Sequence, residues 1–409
     1  MKKRMKDRSA RALVSALSLV IAVMAVTVAA SPTAVAARDS EADADKRGGA
    51  AMEEILMEEI LKEQSDAIGV QRVEQAAPES AGEILGDMRV TDALQVESAI
   101  ARLVSGVAAR LRGIISPALA GAAAVVAAAL MSGIFTAAFP EKGGNYARLA
   151  AVLAISVVSV SGVNTFIGMG DGVLRDLNMF SKALLPCLAA ASAAGGALTS
   201  AAVKYSAAVM LLDFSIGAMR TVIMPLIYAY AAVSVAEAVV SAAGAGGASG
   251  VDALAGASAM IKWLAKTALT CFVLAFVAYI SLTGVIASAS DAVTIRAAKV
   301  AMSTVLPVVG SILADAADTV MSGAALLRNA VGVFGVLAAA AVCAVPFIRL
   351  GMSYMLFKVA GGLSGAAADK SVTKLIDAFG SAFGLTLGMT GSAAVMLFIS
   401  IVSAIKAVV

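Results

Sequence analysis

The sequence contains no histidine, three cysteines and one tryptophan among 409 residues, and Asp, Glu, Lys and Arg together make up 14%, against about a quarter in a soluble globular protein. Without histidine the chain lacks the usual general base near neutral pH and the commonest zinc ligand. Cys187, Cys271 and Cys343 stand far apart in apolar runs with no Cys-x-x-Cys pair, so they read as free, buried thiols acting as small hydrophobes. No nucleophile–base pair can be named, so the chain is not expected to be an enzyme. No cofactor, metal or nucleic-acid partner is called for. The scarcity of charge excludes a soluble enzyme. The 60% hydrophobic content excludes disorder. With a mean hydropathy of +0.91, the chain reads as an all-α polytopic membrane protein.

The few charges are unevenly placed. Residues 1–36 carry six basic side chains and one acidic, before the uncharged run Ala12–Ala30 and the small-x-small site Ala34-Val35-Ala36. That order is a secretory signal peptide with cleavage after Ala36; an uncleaved first anchor is the rival reading, because 19 apolar residues approach a span. Either way the following segment lies on the extracytoplasmic side. Residues 37–112 hold nine basic and sixteen acidic residues, and Met52–Leu61 (MEEILMEEIL) and Val90–Leu111 place apolar residues near helical spacing. This acidic, mainly helical segment is either a partner-binding block or a solvated lead-in to the membrane.

Residues 113–409 form the transmembrane domain. Apolar stretches predict about seven to eight helices: Gly113–Phe139, Leu149–Met169, Ala183–Val203, Val209–Val240, Trp263–Ser288, Val305–Leu327, Val331–Phe357 and Phe379–Ala407. Ala183–Val203 and Val305–Leu327 are the weakest, and each reads equally as a re-entrant or broken helix. Loops 140–148, 289–304 and 358–378 then face the cytoplasm in accord with the positive-inside rule, while Arg175, Lys182 and Arg328 fall outside against it.

An internal repeat is visible. Pro186 and Pro307 are 121 residues apart, Pro225 and Pro346 keep that offset, and so do Arg175 and Arg296. The units are about 149–240 and 270–361. A three-span offset makes them inverted three-helix repeats, an architecture of secondary transporters that bind near the bilayer midplane; retention for packing alone is the other reading. Charges within or near apolar runs are functional suspects: Asp213, Arg220, Glu237, Asp315, Asp318 and Arg328. Asp315 and Asp318 share one helical face. In the last span Gly380, Gly384 and Gly388 recur every fourth residue and allow close helix approach. The glycines of 168–172 and 244–250 read as turns that end spans.

The stretch Lys299–Leu363 carries a resemblance. Its Pro307-Val-Val-Gly310 turn, Asp315, the Arg328-Asn329-x-x-Gly332 joint and Pro346 resemble the stage III sporulation protein AE family. The layout of signal, polar segment and spans agrees. The resemblance implies a membrane component of the eight-protein AA–AH complex of the mother cell, in the outer forespore membrane. That complex meets a forespore partner across the intermembrane space. Together they form a channel that supports forespore development and late sigma-factor activity. An independent secondary transporter or permease is the alternative. The structural or conduit candidates are Pro186, Pro225, Pro307, Gly310, Asp315, Asp318, Arg328, Asn329 and Pro346. The helix-packing candidates are Gly380, Gly384 and Gly388.

Overall fold

A computed structural model describes residues 62–86, 88–138, 142–196, 198–244, 247–305, 310–365 and 368–405. The signal peptide, the Met52–Leu61 segment and Pro307 lie outside the described residues, as do the side chains of Gly310, Asp315 and Asp318. After a helical stretch over residues 62–68 come α1 (Val70–Gln75), α2 (Glu79–Leu85) and a 3-10 turn (Thr91–Leu94). Long helices follow: α3 (Val96–Ala138), α4 (Lys142–Ala194), α5 (Leu198–Ala218), a π-turn (Met219–Ile223), α6 (Met224–Ala243), α7 (Gly247–Val305), α8 (Gly310–Ser364) and α9 (Lys370–Ile405). A backbone in hydrocarbon can bond only to itself, so these apolar sequences have no alternative to the helix.

Six helices among the described residues are long and apolar enough to cross a membrane: Val96–Ala138, Tyr146–Ala194, Tyr205–Ala243, Ser249–Leu282, Val320–Ser364 and Lys370–Ile405. That is fewer than the expected seven to eight. Leu149–Met169 and most of Ala183–Val203 fuse into α4, and Val331–Phe357 joins most of Val305–Leu327 in α8. The charged stretches between them had read as loops. They stay helical because each turns its apolar residues inward: Val173, Leu174, Leu177 and Phe180 are buried, as are Ala330, Val331 and Phe334. The glycines of 168–172 are therefore interior to a helix, and loop 289–304 lies within α7. Gly244 and Gly247 do mark a turn, at φ 65° and 61°. Pro225 in α6 and Pro346 in α8 are two helices apart instead of three spans, and both helices lie antiparallel to α4, so these two run the same way and the inverted relation loses its ground.

The core is the antiparallel pair α8–α9. Phe379, Phe383, Leu387, Met389, Leu397 and Ile401 are among the buried residues that surround α9 on nearly every side. Glycines let the two backbones approach. A β-carbon on Gly380 would stand 3.2 Å from Phe357, and one on Gly384 would stand 2.8 Å from the Tyr354 ring. Gly388 is different: it is exposed, and its β-carbon would meet Leu269 of α7 at an ordinary 3.8 Å. Phe383 makes edge-on contacts with Phe166 of α4 at 4.9 Å and Phe357 of α8 at 5.0 Å between centroids. Gly170 of α4 sits against Thr386 and Thr390, midway along α9.

Residues 62–95 fold back as a helical cap, which differs from a solvated lead-in. Val73, Ala81, Ile84, Leu85, Val90 and Ala93 are buried. The Val90 N–H donates to the Glu74 carboxylate at 2.8 Å, Gln64 Nε2 donates to the Val320 carbonyl of α8 at 3.2 Å, and Arg110 of α3 pairs with Glu83 at 2.7 Å. Cys187 and Cys343 are buried as expected, whereas Cys271 is exposed.

Gly384→Ala is expected to lower stability by about 1–2 kcal/mol, because the Tyr354 ring must move. Gly388→Ala should be neutral or gain up to about 1 kcal/mol from helix propensity. Thermal unfolding of the two variants in detergent checks this; equal losses would rule out close α8–α9 approach as the cause.

Candidate functional site

Three groups of charges stand out in the bundle. The first is at mid-height, between α4 and the continuous α5–α6 arm. Pro225 has no N–H and its ring crowds the Thr221 carbonyl, so the chain widens into the π-turn just before it. Arg220 projects from that turn. Its Nε donates to Asp171 Oδ1 at 2.5 Å, and Arg175, one turn along α4, reaches the other carboxylate oxygen at 2.5 Å. The Asp171 side chain is 15% exposed, so the carboxylate is held mainly by two guanidiniums rather than by solvent. One step further, Asp213 of α5 takes Lys182 Nζ at 2.7 Å and Asn178 Nδ2 at 2.8 Å. On the other side Tyr228 donates to Asn164 Oδ1 at 3.0 Å.

The second is near the α8–α9 turn. Lys262 Nζ of α7 and Lys358 Nζ of α8 both donate to Ser381 Oγ of α9, at 2.7 and 3.0 Å. The Ser381 hydroxyl donates back to the Asp377 carbonyl, and Lys358 also pairs with the Asp377 carboxylate at 2.6 Å. Lys262 lies over the Tyr230 ring at 5.7 Å, where the ring face partly offsets its desolvation. Close by, Glu237 receives Lys374 and Ser258, each at 3.3 Å, and Arg148 pairs with Asp369 at 3.1 Å.

The third is at the opposite, capped end. Arg328 of α8 is 5% exposed, and its Nε and Nη1 have no acceptor among the described residues. Nearby, Ser192 and Tyr205 share a 2.8 Å hydrogen bond, and Tyr205 donates to the Ala404 carbonyl in the last turn of α9 at 3.1 Å. The partial negative charge of that helix end favours the guanidinium without satisfying its N–H groups.

The expected site residues therefore fall in different places. Pro186 is exposed on α4, Pro225 shapes the π-turn, Pro346 lies half-buried within α8, and Asn329 follows Arg328 on the same helix. Asp213, Arg220 and Glu237 acquire partners. Asp171, Asn178 and Asn164 were not singled out by sequence reasoning, and Arg175 and Lys182 were placed in a loop. A signal for them exists: Asn164, Gly168, Asp171, Arg175, Asn178 and Lys182 alternate steps of four and three, which is one face of a helix.

Comparison with known proteins bears on the same residues. A family model described as stage III sporulation protein AE matches residues 89–407, most of the chain. A curated relative named Stage III sporulation protein AE, from Bacillus subtilis (strain 168), is 26% identical over 263 residues, covering 64% of this chain and 64% of the relative's length. No solved structure matches.

Two outcomes test the charge network by thermal unfolding in detergent. Asp171→Ala should cost about 2 kcal/mol, because it leaves a guanidinium poorly compensated, and should cost more than Arg175→Ala, whose side chain is 60% exposed. Arg328→Met should leave the melting temperature unchanged or raise it, because each buried N–H without an acceptor costs about 1–3 kcal/mol in the native protein. A lower melting temperature for Arg328→Met would mean that the guanidinium has an acceptor in the folded protein.

Proposed function

The chain belongs to the stage III sporulation protein AE family, and from that premise we propose that it acts in sporulation as a non-enzymatic, multi-pass component of the channel complex linking mother cell and forespore. The chain spans 64% of the length of the curated relative it matches. The observation that carries the reading is the Asp171–Arg220–Arg175 network at mid-height of an apolar bundle. Charge at that depth is costly and has no use in a passive anchor.

In this reading the protein sits in the outer forespore membrane. Residues 1–36 are a cleaved signal peptide, 37–112 face the intermembrane space, and 113–409 are the membrane domain. The positive-inside rule supports that orientation: Arg148, Lys262, Lys266, Lys358, Lys370 and Lys374 cluster around the end opposite the cap. The cap formed by residues 62–95 then stands where it can meet sister subunits of the AA–AH complex and, through them, the forespore partner. The role would be to keep the forespore competent for development and for late sigma-factor activity. The alternative of an independent transporter with inverted repeats is weaker, because the matched helices run in the same direction.

Removing the chain from a sporulating strain is expected to block late forespore development. The tagged full chain, extracted from sporulating cells in mild detergent, should bring down sister membrane subunits. Normal sporulation without the chain, or its recovery alone, would overturn the assignment.

A further inference from the structure

The network at mid-height is part of a longer feature. Asn164, Gly168, Asp171, Arg175, Asn178 and Lys182 lie on one line along α4. Across from them stand Tyr228, Arg220, Gly217 and Asp213. At 1.5 Å per residue, the line from Asn164 to Lys182 is about 27 Å long, close to the roughly 30 Å hydrocarbon thickness of a bilayer. It is centred on the bundle, because Gly170 touches the middle of α9 at Thr386 and Thr390.

This line is not closed over. The side chains of Arg175, Lys182 and Asp213 are 60%, 52% and 49% exposed. Charges at this depth facing lipid are costly, and pairing reduces that cost without removing it. The glycines give the same picture by different means. A β-carbon on Gly170 would run into α9, whereas one on Gly168, Gly172 or Gly217 would meet nothing within 4 Å. One face of α4 is therefore packed at contact distance and the other opens onto space. Met210, Phe214 and Val222 on the α5–α6 side, 77%, 65% and 48% exposed, form an apolar flank suited to lipid. Met179, 61% exposed, stands among the polar residues of the line.

We propose that this stripe of α4 and the facing α5–α6 arm form one wall of a water-filled path across the membrane. Asp176 is turned toward Cys343 of α8, so on the stripe itself Arg175, Lys182 and Arg220 outnumber Asp171 and Asp213 by one charge, and the wall favours small anionic solutes over cations. The proposal rests on the reading of the chain as a channel component and supplies that reading with a lining.

The test uses the full chain in membrane vesicles, with Cys187, Cys271 and Cys343 replaced by alanine. Single cysteines are introduced as Gly168→Cys and Gly217→Cys, where the space is open, with Ile134→Cys and Leu274→Cys as lipid-facing controls, 64% and 63% exposed in the native residues. Each is exposed to membrane-impermeant methanethiosulfonates, one anionic and one cationic, with rates normalised to a free thiol in solution. Stripe cysteines should react about tenfold or more faster than the controls, because a thiol in an apolar medium scarcely ionises, and the anionic reagent should be the faster. Stripe rates equal to the controls would overturn the path. So would stripe cysteines that are shielded from reagent yet cross-link between copies, which would make the stripe a protein contact. A faster cationic reagent would overturn the anion preference. Gly217→Cys lies on the opposite element from Gly168→Cys, so failure of one variant to accumulate leaves the other to decide. Labelling is read without sporulation: a labelled stripe in a chain whose removal leaves sporulation normal would sink the family-level role and keep the path.

Discussion

The close approach of α8 to α9 is the contact on which the rest of the arrangement depends. Gly380 and Gly384 bring the α9 backbone against Phe357 and Tyr354, and at the far end Gly332 of α8 lies against Ile405. With no hydrophobic drive between helices in lipid, such van der Waals fit is a principal source of association. Once α9 is held this way, Phe383 takes Phe166 of α4 on one side and Phe357 on the other. Gly170 then meets Thr386 and Thr390, which sets the height of α4. Asp171 is the next residue, so the same packing places its carboxylate at mid-height, where the π-turn offers Arg220. Core packing and the position of the charge network are thus one constraint seen from two sides.

The charges follow a consistent rule. Asp171 with Arg175 and Arg220, Asp213 with Lys182, Asp377 with Lys358, and Glu237 with Lys374 each set a carboxylate against a cation. Lys262 uses a hydroxyl and a ring instead. Among the described residues Arg328 departs from the rule, with two buried N–H groups unmet at the capped end, and so does half-buried Asp176 of α4, which has no ion pair there. An unpaired buried charge lowers stability.

Hydropathy made the membrane class and four of the expected spans legible, those beginning at Gly113, Val209, Trp263 and Phe379. It misread residues 170–182 and 328–329, because a charge in a one-dimensional profile looks like a loop whether or not a partner waits beside it. Arg220 is 49 residues from Asp171, and Asp213 is 35 from Asn178, so no local window contains both members of either pair. The proline offsets were real features of the chain, but the number of helices between them could not be counted until the charged stretches were known to be helical. The cap was obscured for a related reason: its apolar residues are too few for a core of their own, and they complete one by resting on α8 and α4.

What the sequence determined by itself is helicity, the membrane as solvent and membership in a sporulation family, because apolar length and motif residues are local properties. Which face of each helix meets protein was decided only by tertiary structure. The five polar residues of α4 from Asn164 to Lys182, with Gly168 among them, are spaced for one side of a helix in any context. Only the packing of Gly170 against α9 turns that side away from the core and toward Asp213 and Arg220. Pairing and burial depend on distance through space, and that distance is set by where small residues allow backbones to meet.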